Sequence, residues 1–346
     1  MIASALFRRT KKYLVTALLP FLALFSMLTA APVWAEEGVI ATIPIFSPHR
    51  IVINPSTNKV YVVAGGDVAV IDGATNSFIA WIPVGTGPSP IALNPVTNKI
   101  YVANIGSNNV TVIDGATNST ATVAVDLAPN GIAVNPVTNK IYVSNYHGHT
   151  ITVIDGATNS TTTVAVENYP GEVIVNPATN KIYVAGTHTN HVMVIDGATN
   201  SVSTVMVGAT PHMIVVNPVT NKVYVSNSQS GGYIRHITVI DGATNATSTI
   251  PIIAGFIAIN PVTNKLYAVT DGNTVTAIDG TTHSIITTVP VGDSPHSIAV
   301  NPVTNKMYVA NFVGNSVTVI DGANNSTATV AVDSSPYAIA DRKSVV

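Results

Sequence analysis

Apolar residues in this chain come in runs of about five, and glycine, proline, asparagine or aspartate interrupts each run. Short apolar runs that end at turn residues predict β-strands buried on both faces rather than helices. The hexapeptide Asn-Pro-x-Thr-Asn-Lys follows such a run seven times, at intervals of 40 to 43 residues. A repeat of about forty residues built from short strands predicts a β-propeller, with one blade for each repeat.

The last full repeat indicates how one blade is built. Apolar strands are predicted over residues 296–300, 307–311 and 317–320, and a more polar, threonine-rich strand over 326–332. The hexapeptide separates the first two strands, because proline fixes φ for a turn and asparagine tolerates a left-handed backbone. Asp321-Gly322 is the turn signal between the last two strands. Four antiparallel strands per repeat are typical of a propeller blade.

Partial strands at the two ends of the repeat array predict how the ring closes. Residues 38–45 look like a fourth strand with no blade before it, and residues 337–340 look like a first strand with no blade after it. We therefore predict an all-β fold, a seven-bladed β-propeller of four-stranded antiparallel blades whose ring is closed by shared N- and C-terminal strands. Because a lone blade cannot bury both faces, residues 36–346 are expected to form a single domain.

The first 35 residues follow a different pattern. Arg8, Arg9, Lys11 and Lys12 precede an apolar stretch over residues 13–28, and small residues lead to Ala35. This arrangement predicts a secretory signal peptide over 1–35, so the protein is expected in the periplasm or at the cell surface. An uncleaved anchor helix is the alternative, but the apolar run is shorter than the roughly 20 residues that a span needs. Arg8-Arg9 also leaves a twin-arginine signal open, although the two lysines argue against it.

Charge narrows the range of partners. The chain has 15 basic and 17 acidic residues, and only 9% of its residues are charged while 47% are hydrophobic. Loss of the four basic residues of the signal would leave 11 basic against 17 acidic residues, a formal net charge of −6. This balance does not favour nucleic acid as a partner. Cysteine is absent, so packing alone is expected to hold the fold together.

The second strand of each repeat carries a tyrosine, which valine follows in six of the seven copies. With Asn-Lys before these pairs and Val-Ile-Asp-Gly downstream, residues 38–340 resemble the YVTN family of β-propeller repeats. The resemblance implies an exported propeller of the surface-layer or periplasmic type. It implies no shared reaction, because the fold does not dictate the function.

Strand alternation sorts the loops onto two faces of the ring. The turns between first and second strands and between third and fourth strands lie on one face, the turn face. It repeats one lysine and one aspartate per blade: Lys59, Lys99, Lys140, Lys181, Lys222, Lys265 and Lys306 with Asp72, Asp114, Asp155, Asp196, Asp241, Asp279 and Asp321. A basic ring for an anion is one interpretation. We favour the other, in which each aspartate caps its own turn beside a solvated lysine, because the charges cancel one for one.

The opposite face, the loop face, carries the second-to-third loops and the connections between blades. Eight of the nine histidines are expected there, and His49, His212 and His296 share one register at the start of the innermost strand. A ring of such residues would surround the mouth of the central channel. A ligand-binding site is therefore predicted from His49, Arg50, Ser89, Asn130, Glu172, His212, Arg235 and His296.

Four further histidines lie in the second-to-third loops of blades 3 and 4, which are neighbours: His147, His149, His188 and His191. Imidazole nitrogens suit Zn²⁺ and related ions, so these four form a candidate divalent-metal site. The alternative interpretation is that histidine simply suits polar loops.

The chain shows neither a nucleophile elbow nor a phosphate-binding loop. We therefore expect an exported, non-catalytic module that binds a protein, a cell-envelope component or a small ligand through its loop face, or that serves as an envelope scaffold. The alternative is a lactonase-like hydrolase or a metal-dependent enzyme at the same mouth, with Glu172 acting beside His212 or His296.

Overall fold

The computed structural model of the protein describes Ala3–Ser4 and residues 38–167, 169–227 and 236–340. Most of the predicted signal peptide lies outside these residues. Arg235, one of the predicted ligand-binding residues, also lies outside them, as does the longer loop of blade 5 to which it belongs.

The first two strands stand apart from the repeats: β1 (Ala3–Ser4) pairs antiparallel with β2 (Thr42–Ile43). Blade 1 contains β3 (Pro48–Asn54), β4 (Lys59–Ala64), β5 (Asp67–Asp72) and β6 (Ser77–Pro83). Blade 2 contains β7 (Pro88–Asn94), β8 (Lys99–Asn104), β9 (Asn109–Asp114) and β10 (Thr120–Ala124). Blade 3 contains β11 (Pro129–Asn135), β12 (Lys140–Asn145), β13 (Thr150–Asp155) and β14 (Thr161–Ala165).

The remaining blades repeat this plan. Blade 4 contains β15 (Pro170–Asn176), β16 (Lys181–Gly186), β17 (His191–Asp196) and β18 (Val202–Met206). Blade 5 contains β19 (Pro211–Asn217), β20 (Lys222–Asn227), β21 (His236–Asp241) and β22 (Thr247–Ile250). Blade 6 contains β23 (Ala254–Asn260), β24 (Lys265–Thr270), β25 (Thr274–Asp279) and β26 (Ile285–Pro290). Blade 7 contains β27 (Pro295–Asn301), β28 (Lys306–Asn311), β29 (Ser316–Asp321) and β30 (Thr327–Ala331).

Every blade is an antiparallel sheet whose four strands follow one another in chain order. The first strands of consecutive blades lie side by side around the channel, so the fourth strands form the outer rim. The rim strands are mostly exposed: β14 buries Val164 and exposes its three successive threonines. The prediction of seven four-stranded blades in an all-β ring is therefore confirmed.

Apolar residues on the facing sides of neighbouring blades form the core. One cluster joins Tyr142 and Ile151 of blade 3 to Ile182 and Met193 of blade 4, all of them fully buried. Both faces of a blade are covered in this way, which explains why the second and third strands are apolar at successive positions. Each buried aliphatic side chain contributes roughly 1.5–3 kcal/mol to stability, so these contacts hold the ring together.

The first asparagine of the hexapeptide links each blade to the next. Asn135 is fully buried, and its Nδ2 donates to Oδ1 of Asn180 in blade 4 at 2.8 Å. Its own Oδ1 accepts the backbone N–H groups of Val137 and Thr138 at 3.0 and 3.3 Å. Five further links are the same: Asn54 to Asn98, Asn94 to Asn139, Asn176 to Asn221, Asn217 to Asn264, and Asn260 to Asn305.

The charges of the turn face are structural. Oδ1 of Asp114 accepts the N–H groups of Thr117 and Ala116, both at 2.9 Å, and these bonds lower the pKa of Asp114 below its ordinary value. Lys99 is half-buried, and its Nζ donates to the carbonyl oxygen of Gly156 in the next blade at 2.7 Å. The capping role of the aspartates is thus confirmed. The prediction of solvated lysines is wrong, because most of these ammonium groups bridge two blades.

Blades 7 and 1 meet differently from the other neighbours. Among the described residues each blade consists of four consecutive strands, and residues 337–340 form no strand. Ile339 packs on blade 7, whereas Ile45 and Ala340 pack on blade 1, so the two terminal segments lie between β27 and β3. This corrects the expectation of shared terminal strands, since seven contiguous segments already supply all four strands of every blade.

The asparagine link is also missing at this junction. Oδ1 of Asn301 accepts the N–H groups of Val303 and Thr304, but among the described residues its Nδ2 has no partner in blade 1. Oδ1 of Asn58, which would receive that bond, is buried without a hydrogen-bond partner. The ring therefore has six regular junctions and one irregular junction.

Candidate functional site

A β-bulge shapes the start of the innermost strand in every blade. In β3 the register shifts between Pro48, which faces Ala64, and Arg50, which faces Val63. Equivalent shifts occur at the start of β7, β11, β15, β19, β23 and β27. A bulge takes residues out of the ladder and re-aims their side chains. The second residue of each inner strand leaves the ladder in this way, and in β7, β15 and β23 the third residue leaves it as well.

The third position differs in every blade: Arg50, Pro90, Gly131, Glu172, Met213, Phe256 and Ser297. Arg50 and Glu172 are the two charged residues of this set, and they come from blades 1 and 4. The positive charge of Arg50 opposes the rise in the pKa of Glu172 and favours its ionised form.

Glu172 has a carboxyl group that titrates near neutral pH. Burial raises its pKa to about 7, and the N–H of Ile214 and the charge of Arg50 oppose that shift. The N–H of Ile214, in blade 5, donates to Oε2 of Glu172 at 2.9 Å. Glu172 is half-buried. The protein atoms around its carboxyl group exclude enough water that desolvation is the largest influence on its pKa.

The other predicted mouth residues differ in their contacts and in their exposure to solvent. His49 ties blade 1 to blade 2, with Nε2 at 3.0 Å from the carbonyl oxygen of Pro88 and Nδ1 at 3.3 Å from that of Ser47. Ser89 is half-buried, whereas Asn130 and His212 are exposed at the mouth. His49, Asn130 and His212 are each the second residue of an inner strand. At this position His49 joins two blades, whereas Asn130 and His212 are exposed to solvent.

A group of aromatic and imidazole rings covers the loop face of blades 3 and 4. We call it the blade 3–4 ring cluster, and it consists of Tyr146, His147, His149, Tyr169 and His188. The Tyr146 hydroxyl and Nε2 of His188 form a hydrogen bond of 2.6 Å. The ring of Tyr169 lies 4.9 to 5.2 Å from the rings of His149, Tyr146 and His188. His147 and His188 are exposed, so solvent or a partner reaches this cluster.

Three of the four histidines predicted to bind a metal, His149, His188 and His191, have other polar partners. Nδ1 of His149 accepts the backbone N–H of Tyr169 at 3.1 Å, and Nδ1 of His191 lies 3.3 Å from Oε2 of Glu167. His188 bonds to Tyr146, as described above. Among the described residues no group of three or more histidines, cysteines, aspartates or glutamates is placed to hold a metal ion. The divalent-metal hypothesis for His147, His149, His188 and His191 gains no support from this arrangement.

A second group of rings lies at blades 6 and 7. We call it the blade 6–7 ring cluster, and it consists of Phe256, His296, Phe312 and Tyr337. The ring of His296 is central, with centroids 4.4 Å from Tyr337, 5.1 Å from Phe256 and 5.7 Å from Phe312. The three ring pairs are tilted by 37–40°, and aromatic rings packed at such distances offer flat, polarisable surfaces that suit the recognition of partners.

Tyr337 connects this cluster to a cleft at the irregular junction of blades 7 and 1, which we call the junction cleft. The cleft has room of about 60 Å³ for water-sized molecules, and the rest of it is open to solvent. His49, Arg50, Asp333 and Tyr337 are among the polar residues that line it, together with the side chains of apolar residues from both blades. The sequence contains no signal for this cleft, because it results from the way the terminal segments pack.

Fold and site together define a seven-bladed β-propeller with a regular turn face and a diversified loop face. The comparison with solved structures supports this class: hydrazine synthase from Kuenenia stuttgartiensis aligns with a TM-score of 0.65 and 20% identity, over 81% of this chain and 96% of that one. Identity at this level shows a common fold alone. Neither protein-family models nor curated protein sequences give a match. The described part of the chain contains no apolar helix of membrane-spanning length.

Proposed function

We propose that this protein is an exported, non-catalytic β-propeller that binds a protein or another cell-envelope component through its loop face. The observation that carries the proposal is the pair of ring clusters, which both lie on that face and have no counterpart among the hexapeptide turns. Tyrosine and histidine provide large contact surfaces with a polar edge, the combination that is enriched in binding interfaces. The seven hexapeptides and tyrosine-valine pairs support kinship with exported YVTN-type propellers.

Capture from a cell-envelope extract tests this proposal. The immobilised protein is compared with a Tyr146→Ala/His188→Ala double variant and with Val137→Ser. Val137 is an exposed residue of the same blade on the turn face, with 75% of its surface accessible, so its replacement is a matched control. We expect the double variant to lose at least about tenfold of the captured partner, because truncation of central aromatic residues costs 2 kcal/mol or more.

The control is expected to capture as much partner as the unaltered protein. Equal capture by all three proteins would contradict a role for the blade 3–4 ring cluster. Loss of capture only in Val137→Ser would move the binding surface to the turn face.

A hydrolase at the channel mouth is the second candidate, and Glu172 is the observation that favours it. A carboxyl group with a pKa of about 7 is suited to act as a general base or acid at neutral pH. A panel of lactones and esters tests this candidate. If Glu172 is the general base, hydrolysis should rise through pH 7, and if it is the general acid, hydrolysis should fall there; in either case Glu172→Gln should lose at least about a hundredfold of the activity. Hydrolysis that persists in Glu172→Gln would exclude Glu172 as the catalytic group.

A further inference from the structure

A pocket opens on the loop face between blades 2 and 3, and we call it the blade 2–3 pocket. The described residues that line it are Ile105, Ala128, Asn130, Tyr146 and His147. It has room of about 190 Å³ for water-sized molecules and is open to solvent. This volume is below the range of about 300–1,000 Å³ that is typical of drug-sized sites, so the pocket suits a ligand of one small ring.

The pocket exists because Ala128 is small. Ala128 directly precedes the inner strand of blade 3 and has a φ of 55°. Tyr169 occupies the same position before blade 4, with a φ of 56°, and its ring centroid lies 5.1 Å from that of Tyr146. The space that a tyrosine ring fills between blades 3 and 4 is therefore left open between blades 2 and 3.

One part of the lining is apolar and accessible. Ile105, Ala128 and Tyr146 are each half-buried, so they keep surface that a ligand can contact. The Tyr146 hydroxyl and Nε2 of His188 form a hydrogen bond of 2.6 Å, and the N–H of Tyr146 donates to the carbonyl oxygen of Ala128 at 2.9 Å. The N–H of Ala128 in turn donates to Oδ1 of Asn108 at 2.9 Å. These bonds fix the wall in place, so a ligand loses little affinity to the ordering of the site.

The other part of the lining is polar. Asn130 and His147 are both exposed, and among the described residues their side chains have no hydrogen-bond partner. An amide offers two donors and an acceptor, and a neutral imidazole offers one of each. None of the five described lining residues carries a fixed charge, so this lining lacks the arginine or lysine that would bind a carboxylate or a phosphate. The pocket is therefore suited to a neutral ligand that forms several hydrogen bonds.

A pyranose ring matches this lining, because its C–H groups pack on aromatic and aliphatic surfaces while its hydroxyl groups both donate and accept hydrogen bonds. We propose that the blade 2–3 pocket binds the pyranose ring of a neutral sugar. The C–H face of the sugar lies against Tyr146 and Ile105, and its hydroxyl groups bond to Asn130 and His147. The proposal rests on the proposed function, in which the loop face binds a cell-envelope component, and it adds carbohydrate as the chemical class of that component.

Ligand-observed saturation-transfer NMR on the purified protein tests this proposal. The probes are the methyl α- and β-glycosides of glucose, galactose, mannose and N-acetylglucosamine, and cyclohexanol is the control because it has a six-membered ring with a single hydroxyl group. We expect at least one glycoside to bind saturably with a dissociation constant on the order of 1 mM, and cyclohexanol to bind at least fivefold more weakly. Equal or tighter binding of cyclohexanol, or no saturable binding of any glycoside or free sugar, would overturn the proposal.

Three variants locate the binding site. Ala128→Tyr introduces the residue that the chain already has before blade 4 with the same φ, so the variant should fold and should bind the sugar at least tenfold more weakly. Asn130→Ala should weaken binding at least threefold, because hydrogen bonds to the sugar are lost. Ser294→Tyr is the matched control, since Ser294 is exposed at the same position before blade 7 with a φ of 56°, and it should leave binding unchanged. Unchanged binding in Ala128→Tyr or Asn130→Ala, or an equal loss in Ser294→Tyr, would overturn the proposal.

Failure of this proposal and failure of the proposed function give different results. Capture from an envelope extract without saturable binding of any sugar would keep the proposed function and overturn the carbohydrate site. Sugar binding without capture would support the pocket and contradict the wider binding role. Tighter binding of the free sugars than of their methyl glycosides would assign the pocket to a free monosaccharide, and the reverse would assign it to a sugar residue of a glycan.

Discussion

Asn135→Ala is expected to lower the free energy of unfolding by roughly 3 kcal/mol. The replacement removes the bond to Oδ1 of Asn180 and leaves that oxygen buried without a donor. It also removes the acceptor for the N–H groups of Val137 and Thr138 in the hexapeptide turn. A buried polar group that loses its partner costs about 1–3 kcal/mol, so these losses together exceed the effect of an average substitution. Urea unfolding followed by far-UV circular dichroism measures the change.

Asn301→Ala is the matched control for that prediction. Asn301 occupies the same hexapeptide position and bonds to its own turn at 3.0 Å, but no described residue of blade 1 accepts its side-chain amide. We therefore expect Asn301→Ala to cost about 1–2 kcal/mol less than Asn135→Ala, the value of one buried amide bond and its orphaned partner. Equal destabilisation by the two variants would mean that the asparagine stabilises the turn and not the junction.

The regular part of this fold is predictable because each repeat carries the local sequence signals for its own turns and strands. Proline and asparagine fix the turn, the apolar run fixes the strand, and the interval fixes the blade. The irregular junction is different, because residues 337–340 have the sequence of an inner strand and yet form none. Whether a strand forms there depends on neighbours that only the folded ring provides, so local pattern is not sufficient to predict it.

The sequence predicts the loops that carry these side chains but not their partners. His147, His149 and His188 lie between the second and third strands of blades 3 and 4, as the strand pattern predicts. That pattern gives no information on the pairing of Tyr146 with His188, which are 42 positions apart in the sequence. The lysines show the same limit, since the ammonium of Lys99 bonds to a carbonyl oxygen 57 positions away. Long-range partners decide whether an imidazole or an ammonium group is free, and the repeat pattern does not encode them.

Glu172→Gln is expected to raise the stability of the protein at pH 8 by roughly 3 kcal/mol and to leave it nearly unchanged at pH 4.5. The pKa of Glu172 is raised from 4.5 to about 7 in the folded protein, so the folded state holds a proton that the unfolded state releases. Stability therefore falls as the pH rises from 4.5 to about 7, and the full cost is present above pH 7. Glutamine stays neutral and keeps an oxygen that accepts the N–H of Ile214.

Urea unfolding midpoints at several pH values between 4.5 and 8 measure this effect, and the difference between the two proteins isolates Glu172 from all other titrating groups. Asp271→Asn is the matched control, because Asp271 is an exposed carboxylate in a loop on the same face. Parallel pH profiles for Glu172→Gln and the unaltered protein would contradict the raised pKa. Equal stability of the two proteins at pH 4.5 and a more stable Glu172→Gln at pH 8 would instead establish that the ionised carboxyl group of Glu172 destabilises the fold. A residue that lowers stability in this way is expected to be retained for binding or catalysis and not for packing.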